Sequence, residues 1–144
     1  MSADLRPETI LAQAGGATDP ETGAIVPPIH ISSTYLRDPD NQYRKGFAYG
    51  RADNATVRQT EAVLASLEGA AGCLLFSSGM AAATSLFLAV PRPAHVVAPQ
   101  VMYWGLRHWL LHDAPSHGLS VTLVDASNLD EIAAAVRPGE TKLI

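Results

Sequence analysis

The sequence predicts an α/β fold built around a mainly parallel β-sheet. Short apolar runs at residues 72–76, 95–98 and 120–124 alternate with helical segments of about ten residues, an alternation typical of βαβ units. The composition agrees, because 47% hydrophobic and 17% charged residues suit a chain with a buried core. A length of 144 residues corresponds to one domain.

Residues 1–56 differ from the rest of the chain. Turn and breaker residues interrupt this stretch repeatedly, and we expect it to be extended. It nevertheless carries much apolar and aromatic surface, at Ile25, Ile29, Ile31, Tyr35, Tyr43, Phe47 and Tyr49. We therefore predict that residues 1–56 form an N-terminal arm that packs on a neighbouring subunit, and that residues 57–144 form the first part of an α/β domain.

Helix signals begin at Asn54 or Thr56, either of which can cap a helix that Gly69 would end. A buried strand at 72–76 and a helix at 81–88 should follow. The remaining predicted elements are a strand at 95–98, a helix at 103–112 with Leu106, Leu110 and Leu111 inward, a strand at 120–124, a helix at 129–136 capped by Ser127 with Asp130 as a capping-box-like partner, and a strand from 141.

The turn Ser77-Ser78-Gly79-Met80 lies between a predicted strand and a predicted helix. The first amides of a helix lack intrahelical partners and carry partial positive charge, so this junction can bind an anion such as a phosphate. Gly79 lets the backbone approach the ligand closely. The alternative is a plain structural junction between strand and helix, and this stretch alone does not decide between the two.

Several classes of function are disfavoured. The net charge is −4 and no basic run is present, which argues against a nucleic-acid partner. No apolar run approaches the roughly 20 residues that span a bilayer, and no secretory signal is visible, so we expect a cytoplasmic protein. Cys73 has no second cysteine to pair with, and we expect it in the core. His108 and His112 have a metal-ligand spacing but lack an obvious third ligand, so we predict no metal site.

As an ordered set, the motifs resemble the cystathionine γ-synthase/lyase family of pyridoxal-phosphate enzymes of cysteine and methionine metabolism, which have fold type I. The resemblance runs nearly end to end. It rests on Val26-Pro27-Pro28-Ile29-His30, Ser32-Ser33-Thr34-Tyr35, Tyr49-Gly50-Arg51-x-x-Asn54-x-Thr56, Glu61-x-x-Leu64-Ala65-x-Leu67-Glu68-Gly69, Ser77-Ser78-Gly79-Met80-Ala81-Ala82, His95-Val96-Val97 and Tyr103-x-Gly105.

The resemblance implies a set of cofactor-binding residues, which are Ser78, Gly79, Met80, Tyr103, Tyr49 and Arg51. Backbone N–H groups of Gly79 and Met80 would donate to the phosphate of pyridoxal 5′-phosphate, and Tyr103 would stack on the pyridine ring. Tyr49 and Arg51 would reach the phosphate bound by the neighbouring subunit. The full-length family implies a homo-oligomer, a dimer of dimers.

The resemblance also implies the reaction. The best match is a cystathionine γ-synthase, which joins an activated homoserine ester to cysteine by γ-replacement. A cystathionine β- or γ-lyase, a methionine γ-lyase or a homoserine sulfhydrylase, acting on related amino acids, remains open because these enzymes share the motifs. From another class, a non-catalytic phosphate-binding module or a gene remnant also remains open.

The catalytic residues of the family are expected elsewhere. The chemistry needs a lysine that forms a Schiff base with the cofactor and an aspartate that pairs with its pyridine nitrogen. Neither motif falls within these 144 residues, and Ile144 interrupts a predicted strand. We therefore expect the chain to be the truncated N-terminal portion of an enzyme, with no catalytic residue of its own and no activity in isolation.

Overall fold

The computed structural model describes residues 5–144. The chain divides into two compact units, the first ending at Leu75 and the second spanning Phe76–Ile144. Among the described residues, no helix has both the length and the apolar character needed to cross a membrane. Each unit is described by itself below.

The first unit contains helix α1 (Pro7–Ala12), a 3₁₀ turn (Ala14–Gly16) and helix α2 (Ala55–Leu67). The segment between the 3₁₀ turn and α2 has no regular element apart from one antiparallel bridge that pairs Thr34 with Tyr49. Helix α1 was not expected from the sequence. Its start carries a recognisable signal, because Pro7 occupies the first turn beside Glu8, where proline and acidic residues are both favourable.

The second unit is built of alternating helices and strands. In chain order these are α3 (Gly79–Ala89), β1 (Ala94–Pro99), α4 (Trp104–His112), a 3₁₀ turn (Ala114–His117), β2 (Leu119–Val124), α5 (Leu129–Ala135) and β3 (Thr141–Leu143). The three strands form one parallel sheet in the order β2–β1–β3, with Ala94 opposite Leu119 and His95 opposite Thr141. The predicted α/β class with a parallel sheet is confirmed.

The core of the second unit lies between the sheet and helices α3 and α4. One face of β1 (Ala94, Val96 and Ala98) is buried against a cluster that also holds Phe87, Leu110, Ala114 and Leu119. Leu110 is completely buried, as the predicted inward face of α4 requires, whereas Leu111 is 38% exposed and the prediction for that residue was wrong. The packing of α3 and α4 on the sheet fixes the positions of the loops that follow the carboxyl ends of the strands.

His95 is the buried polar side chain of this sheet, and it is 1% exposed. Its Nδ1 lies 2.8 Å from Oγ1 of Thr141 on β3, and its Nε2 lies 2.8 Å from Oγ1 of Thr122 on β2. The imidazole therefore joins the side chains of all three strands. Burial, followed by the nearby Arg137 guanidinium, lowers the pKa of His95, while Glu140 acts weakly in the opposite direction.

The predicted buried strand at 72–76 is wrong. The segment is not a strand, and Leu74 is 75% exposed. A β-strand is stabilised by hydrogen bonds to a neighbouring strand, and β1, β2 and β3 pair only with one another. The apolar run predicted a strand, but the residues of that run alone do not determine whether a partner strand is present. Cys73, expected in the core, is only half-buried here.

The helix caps agree in part with the sequence. Asn54 caps α2 by accepting a hydrogen bond from the Thr56 N–H at 2.8 Å, as predicted. Helix α5 is capped by Asn128, not by Ser127, whose hydroxyl instead donates to the carboxylate of Asp125 at 2.7 Å. Asn and Ser are both good capping residues, so the choice between adjacent positions depends on the turn that precedes the helix.

Candidate cofactor site

A pocket of about 440 Å³ lies in the second unit, between the start of α3 and the start of α4. It is lined by Ser78, Gly79, Met80, Ala83, Tyr103 and Leu106. Tyr103 follows the carboxyl end of β1, the edge at which open parallel sheets bind their ligands. Four residues predicted from the sequence, Ser78, Gly79, Met80 and Tyr103, are thus brought together.

The N-terminus of α3 forms the polar wall of this pocket. Ser78 is the N-cap, with an extended backbone, and its Oγ accepts a hydrogen bond from the Ala81 N–H at 3.1 Å. The next amide, that of Ala82, bonds to the Ser78 carbonyl at 3.0 Å. Within the described chain, the N–H groups of Gly79 and Met80 have no protein acceptor. The helix therefore presents two free donors and the positive end of its dipole to the pocket.

Gly79 keeps this wall open. A Cβ atom built on Gly79 would meet no atom within 4 Å, so the space beside its backbone is free for a ligand. The helix begins two residues earlier than the sequence predicted, at Gly79, because Ser78 is its cap. The earlier start places the donor amides in the first turn, where anions bind.

Tyr103 forms the aromatic wall. It is the N-cap residue of α4, makes no side-chain capping hydrogen bond, and remains 69% exposed. An aromatic ring at the rim of a pocket, with no hydrogen bond fixing its hydroxyl, offers a flat surface for a second ring. Ala83 and Leu106, which the sequence analysis did not single out, complete the pocket with apolar surface. Leu106 carried one signal, its predicted inward position on α4.

Tyr49 and Arg51 lie in the first unit and do not line this pocket. Arg51 Nη2 donates to Oη of Tyr49 at 2.9 Å, and the guanidinium carbon lies 5.0 Å from the centre of the Tyr49 ring. Tyr49 is 41% exposed. Within the described residues Arg51 has no carboxylate partner, in contrast to Arg44 and Arg58, which are paired with aspartates. The guanidinium of Arg51 is thus available to an anion.

Gly50, between Tyr49 and Arg51, packs its backbone closely against residues 32 and 33. Its N–H donates to the Ser33 carbonyl at 2.9 Å, and a Cβ built on it would lie 2.3 Å from the Ser32 carbonyl oxygen. No side chain fits at this distance from a backbone oxygen, so the close approach of the two chain segments requires glycine. The motif Tyr49-Gly50-Arg51 therefore has a structural reason for its middle residue.

The two histidines with a metal-ligand spacing lie close together on α4. His108 and His112 have ring centres 4.4 Å apart, and Trp104 stacks on His108 at 5.4 Å. In the part of the chain that the structure describes, no three metal-ligating side chains come together. The Ser127 side chain, followed by its N–H, holds the pKa of Asp125 below its usual value, which fits a solvated carboxylate fixed in a turn after β2.

The donors and surfaces of the pocket fit a phosphorylated planar ring. Two free amides and a capping hydroxyl suit the oxygens of a phosphate, and the Tyr103 ring with Ala83 and Leu106 suits a flat aromatic group. The pocket volume of about 440 Å³ falls within the range of small-molecule sites, about 300–1,000 Å³. The residues present therefore fit pyridoxal phosphate.

A family model and the sequences of known proteins both match this chain over most of its length. Residues 8–144 match the model of the family described as Cys/Met metabolism PLP-dependent enzyme. Cystathionine gamma-synthase of Mycobacterium tuberculosis (strain ATCC 25618 / H37Rv) is 39% identical over 139 residues, covering 96% of this chain and 36% of that protein. Human cystathionine gamma-lyase is 34% identical over 129 residues, covering 88% of this chain and 31% of that protein.

Solved structures agree with the sequence relatives. Cystathionine gamma-lyase from Lactobacillus plantarum complexed with L-serine matches with a TM-score of 0.84 at 28% identity, covering 96% of this chain and 36% of that one. The metB structure from Corynebacterium glutamicum matches with a TM-score of 0.82 at 32% identity, covering 96% of this chain and 38% of that one. The chain thus spans about a third of the length of these relatives. With a family model matched over nearly its whole length, the chain belongs to the Cys/Met metabolism family of pyridoxal-phosphate-dependent enzymes.

Proposed function

We propose that this chain is the N-terminal part of a transsulfuration enzyme and supplies half of its pyridoxal-phosphate site. The observation that carries the proposal is the meeting of two free helix amides and an exposed aromatic ring in one pocket, at Gly79, Met80 and Tyr103. Membership of a pyridoxal-phosphate-dependent family supports it.

In this proposal the phosphate binds at the N-terminus of α3. The N–H groups of Gly79 and Met80 donate to phosphate oxygens, and the helix dipole adds to the attraction. The Ser78 hydroxyl accepts from the Ala81 amide, so its own proton remains free to donate to a third oxygen. Tyr103 holds the pyridine ring by a parallel contact, which fixes the plane of the cofactor relative to the sheet edge.

Tyr49 and Arg51 are proposed to act on a second copy of the enzyme. The Arg51 guanidinium donates to the Tyr49 hydroxyl at 2.9 Å and has no carboxylate neighbour among the described residues, so it is suited to a phosphate presented by another subunit. The surrounding arm is apolar and open, with Ile31 and Leu36 more than nine-tenths exposed. Coverage of this surface by a partner subunit is what a homo-oligomer, a dimer of dimers, would provide.

The proposed reaction is γ-replacement on an activated homoserine ester by cysteine, as in a cystathionine γ-synthase, in the cytoplasm. When bound, pyridoxal phosphate supplies an electron sink for negative charge that develops next to the amino group of the substrate. This chain contributes binding and orientation of that group. Its relatives include both synthases and lyases, and cleavage of cystathionine or methionine is the second candidate within the family.

The experiment measures binding of pyridoxine 5′-phosphate to the purified chain by fluorescence titration. This alcohol analogue retains the ring and the phosphate but cannot form an imine with Lys45 or Lys142. Gly79→Pro deletes one donor N–H, and proline suits the first helical position because Ser78 before it is extended. Loss of a hydrogen bond to a charged oxygen should weaken binding roughly ten- to a hundredfold.

Gly79→Ala is the matched variant, because it adds a side chain in open space and retains the N–H. We expect it to bind the analogue at least about tenfold more tightly than Gly79→Pro, by the same hydrogen bond. Unphosphorylated pyridoxine should bind much more weakly than the phosphate. If the two glycine variants bound the analogue equally, or if the two ligands bound equally, the proposed position of the phosphate at the α3 N-terminus would be contradicted.

A further inference from the structure

Gly105 lies directly beneath the ring of Tyr103. It is the second residue of α4, and a Cβ atom built on it would lie 2.8 Å from Cε1, 3.3 Å from Cζ and 3.4 Å from Oη of Tyr103. All three nearest atoms belong to that one side chain. A separation of 2.8 Å is shorter than any ordinary carbon–carbon contact, so a side chain at residue 105 and the present ring position exclude each other.

The backbone of α4 does not require this glycine. Gly105 does not have a positive φ, and it lies within a regular helix. Glycine is among the least favourable residues at such a position, because it loses the most conformational freedom on folding. The contact with Tyr103 is therefore the physical reason that the structure offers for glycine at 105.

The Tyr103 ring is largely exposed. The side chain is 69% exposed and makes no capping hydrogen bond. The adjacent Trp104 ring stacks on His108, at 5.4 Å, on the same helix. The ring of Tyr103 therefore lies close to the first turn of α4, where residue 105 has no side chain.

We propose that Gly105 is a positioning residue for cofactor binding, acting through Tyr103. By leaving room beside the helix, it lets the ring lie at the pocket wall opposite the free amides of Gly79 and Met80. A methyl group at 105 forces the ring to move until its atoms reach ordinary contact distance from the new Cβ, which shifts the stacking surface although no donor to the phosphate changes. The inference rests on the proposed function, in which Tyr103 stacks on the pyridine ring.

A double-mutant cycle tests the inference in the full chain, with pyridoxine 5′-phosphate as the probe. Gly105→Ala should weaken binding by about two- to tenfold, because the stacking ring is shifted out of place. In a Tyr103→Ala background the same substitution should have no further effect, since the ring it displaces is absent. Arg107→Ala, an exposed change on the same helix, serves as the control and should bind as the unchanged chain does.

A readout without ligand separates this inference from the proposed function. In the NMR spectrum, the Gly105 α-protons should show a ring-current shift that disappears in Tyr103→Ala, and the Leu106 amide should show a Tyr103-dependent shift that disappears in Gly105→Ala. If the unchanged chain does not bind the probe, the proposed function fails while this ring-current result still reports on Gly105. Unaltered probe binding by Gly105→Ala, or an equal loss with and without Tyr103, overturns the inference.

Discussion

In the second unit, Phe76–Ile144, helices and a parallel sheet enclose a core, whereas in the first unit the chain is ordered mainly by hydrogen bonds and close backbone approach. Every buried apolar side chain of the described chain except Ile10 belongs to the second unit. The first unit instead exposes large apolar groups, including Ile25, Ile31 and Leu36, each at least 82% accessible. The two units therefore differ in what stabilises them.

The difference extends to the candidate residues of each unit. In the second unit, donors and aromatic ring meet in one pocket around a helix N-terminus. In the first unit, Tyr49 and Arg51 contact each other, and within residues 5–144 the Arg51 guanidinium has no carboxylate partner. Two glycines show the same contrast, because Gly50 accommodates a backbone carbonyl and Gly105 accommodates a side-chain ring. We infer that the second unit carries a site set by its own core, while the first offers a surface for another molecule.

The largest effect should come from the core of the second unit. Leu110→Ala removes a completely buried side chain and should reduce the free energy of unfolding by about 2–5 kcal/mol. Ile31→Ala in the first unit, where the side chain is 92% exposed, should change it by less than about 0.5 kcal/mol. Urea unfolding followed by circular dichroism at 222 nm suits the test, since both units contain helices. Similar losses of unfolding free energy in the two variants would contradict the proposed difference in stabilisation between the two units.

The next effect concerns the backbone contact of the first unit. Gly50→Ala places a methyl group 2.3 Å from the Ser32 carbonyl oxygen and should destabilise the local structure by about 1–3 kcal/mol. Faster hydrogen exchange at the amides of residues 50, 52 and 53 would report the loss. Gly72→Ala, with no atom within 4 Å of the new Cβ, is the control and should leave these rates unchanged. Slow exchange retained in Gly50→Ala would show that the close approach is dispensable.

The buried histidine gives the second unit a pH dependence. The pKa of His95 is lowered by burial, so below a pH of about 6.5 the unfolded chain binds a proton that the folded chain does not. Stability is therefore fully present above that pH and falls as the pH decreases, by up to about 1.4 kcal/mol per pH unit. Urea unfolding of His95→Gln between pH 7.5 and 5 should show a flatter profile. An equally steep profile in the variant would assign the effect to another group.

The smallest effects compare the two helix caps. Ser78→Ala and Asn54→Ala should each cost about 1 kcal/mol, since each side chain accepts a hydrogen bond from a first-turn amide. Asn54→Ala should cost more, because Nδ2 of Asn54 also donates to the His30 carbonyl at 2.9 Å and so ties the arm to α2. Asn54→Asp preserves the cap but not this donor, and thermal unfolding of the three variants would separate the two contributions. Equal losses in Asn54→Ala and Ser78→Ala would argue against the second role.

Local signals in the sequence predicted much of the second unit, because they act over a few residues. The alternation of strands and helices after residue 76 followed from nearby residue types, as did the cap at Asn54 in the first unit. The strand at 72–76 was wrong because strand formation depends on a distant hydrogen-bonding partner. Helix α1 was missed because its six residues lack a sustained apolar period.

The hydrogen-bond donors of the candidate site could be predicted from the sequence, but the residues that position its aromatic ring could not. The free amides of Gly79 and Met80 follow from any helix that begins at a small-residue turn. The need for glycine at 105 depends on where the ring of Tyr103 rests, and that position is fixed only in three dimensions. The resemblance pointed to Tyr49 and Arg51, and the structure adds their mutual hydrogen bond and the reason for Gly50 between them.

The most direct test of the central claim is an amide NMR titration of the isotopically labelled chain with pyridoxine 5′-phosphate. If the second unit holds the phosphate on the α3 N-terminus and the ring on Tyr103, the largest shifts will occur at the Gly79 and Met80 amides, with smaller ones at Gly105 and Leu106. Shifts confined to the surface around Lys142 or Arg44, with Gly79 and Met80 unmoved, would contradict the account.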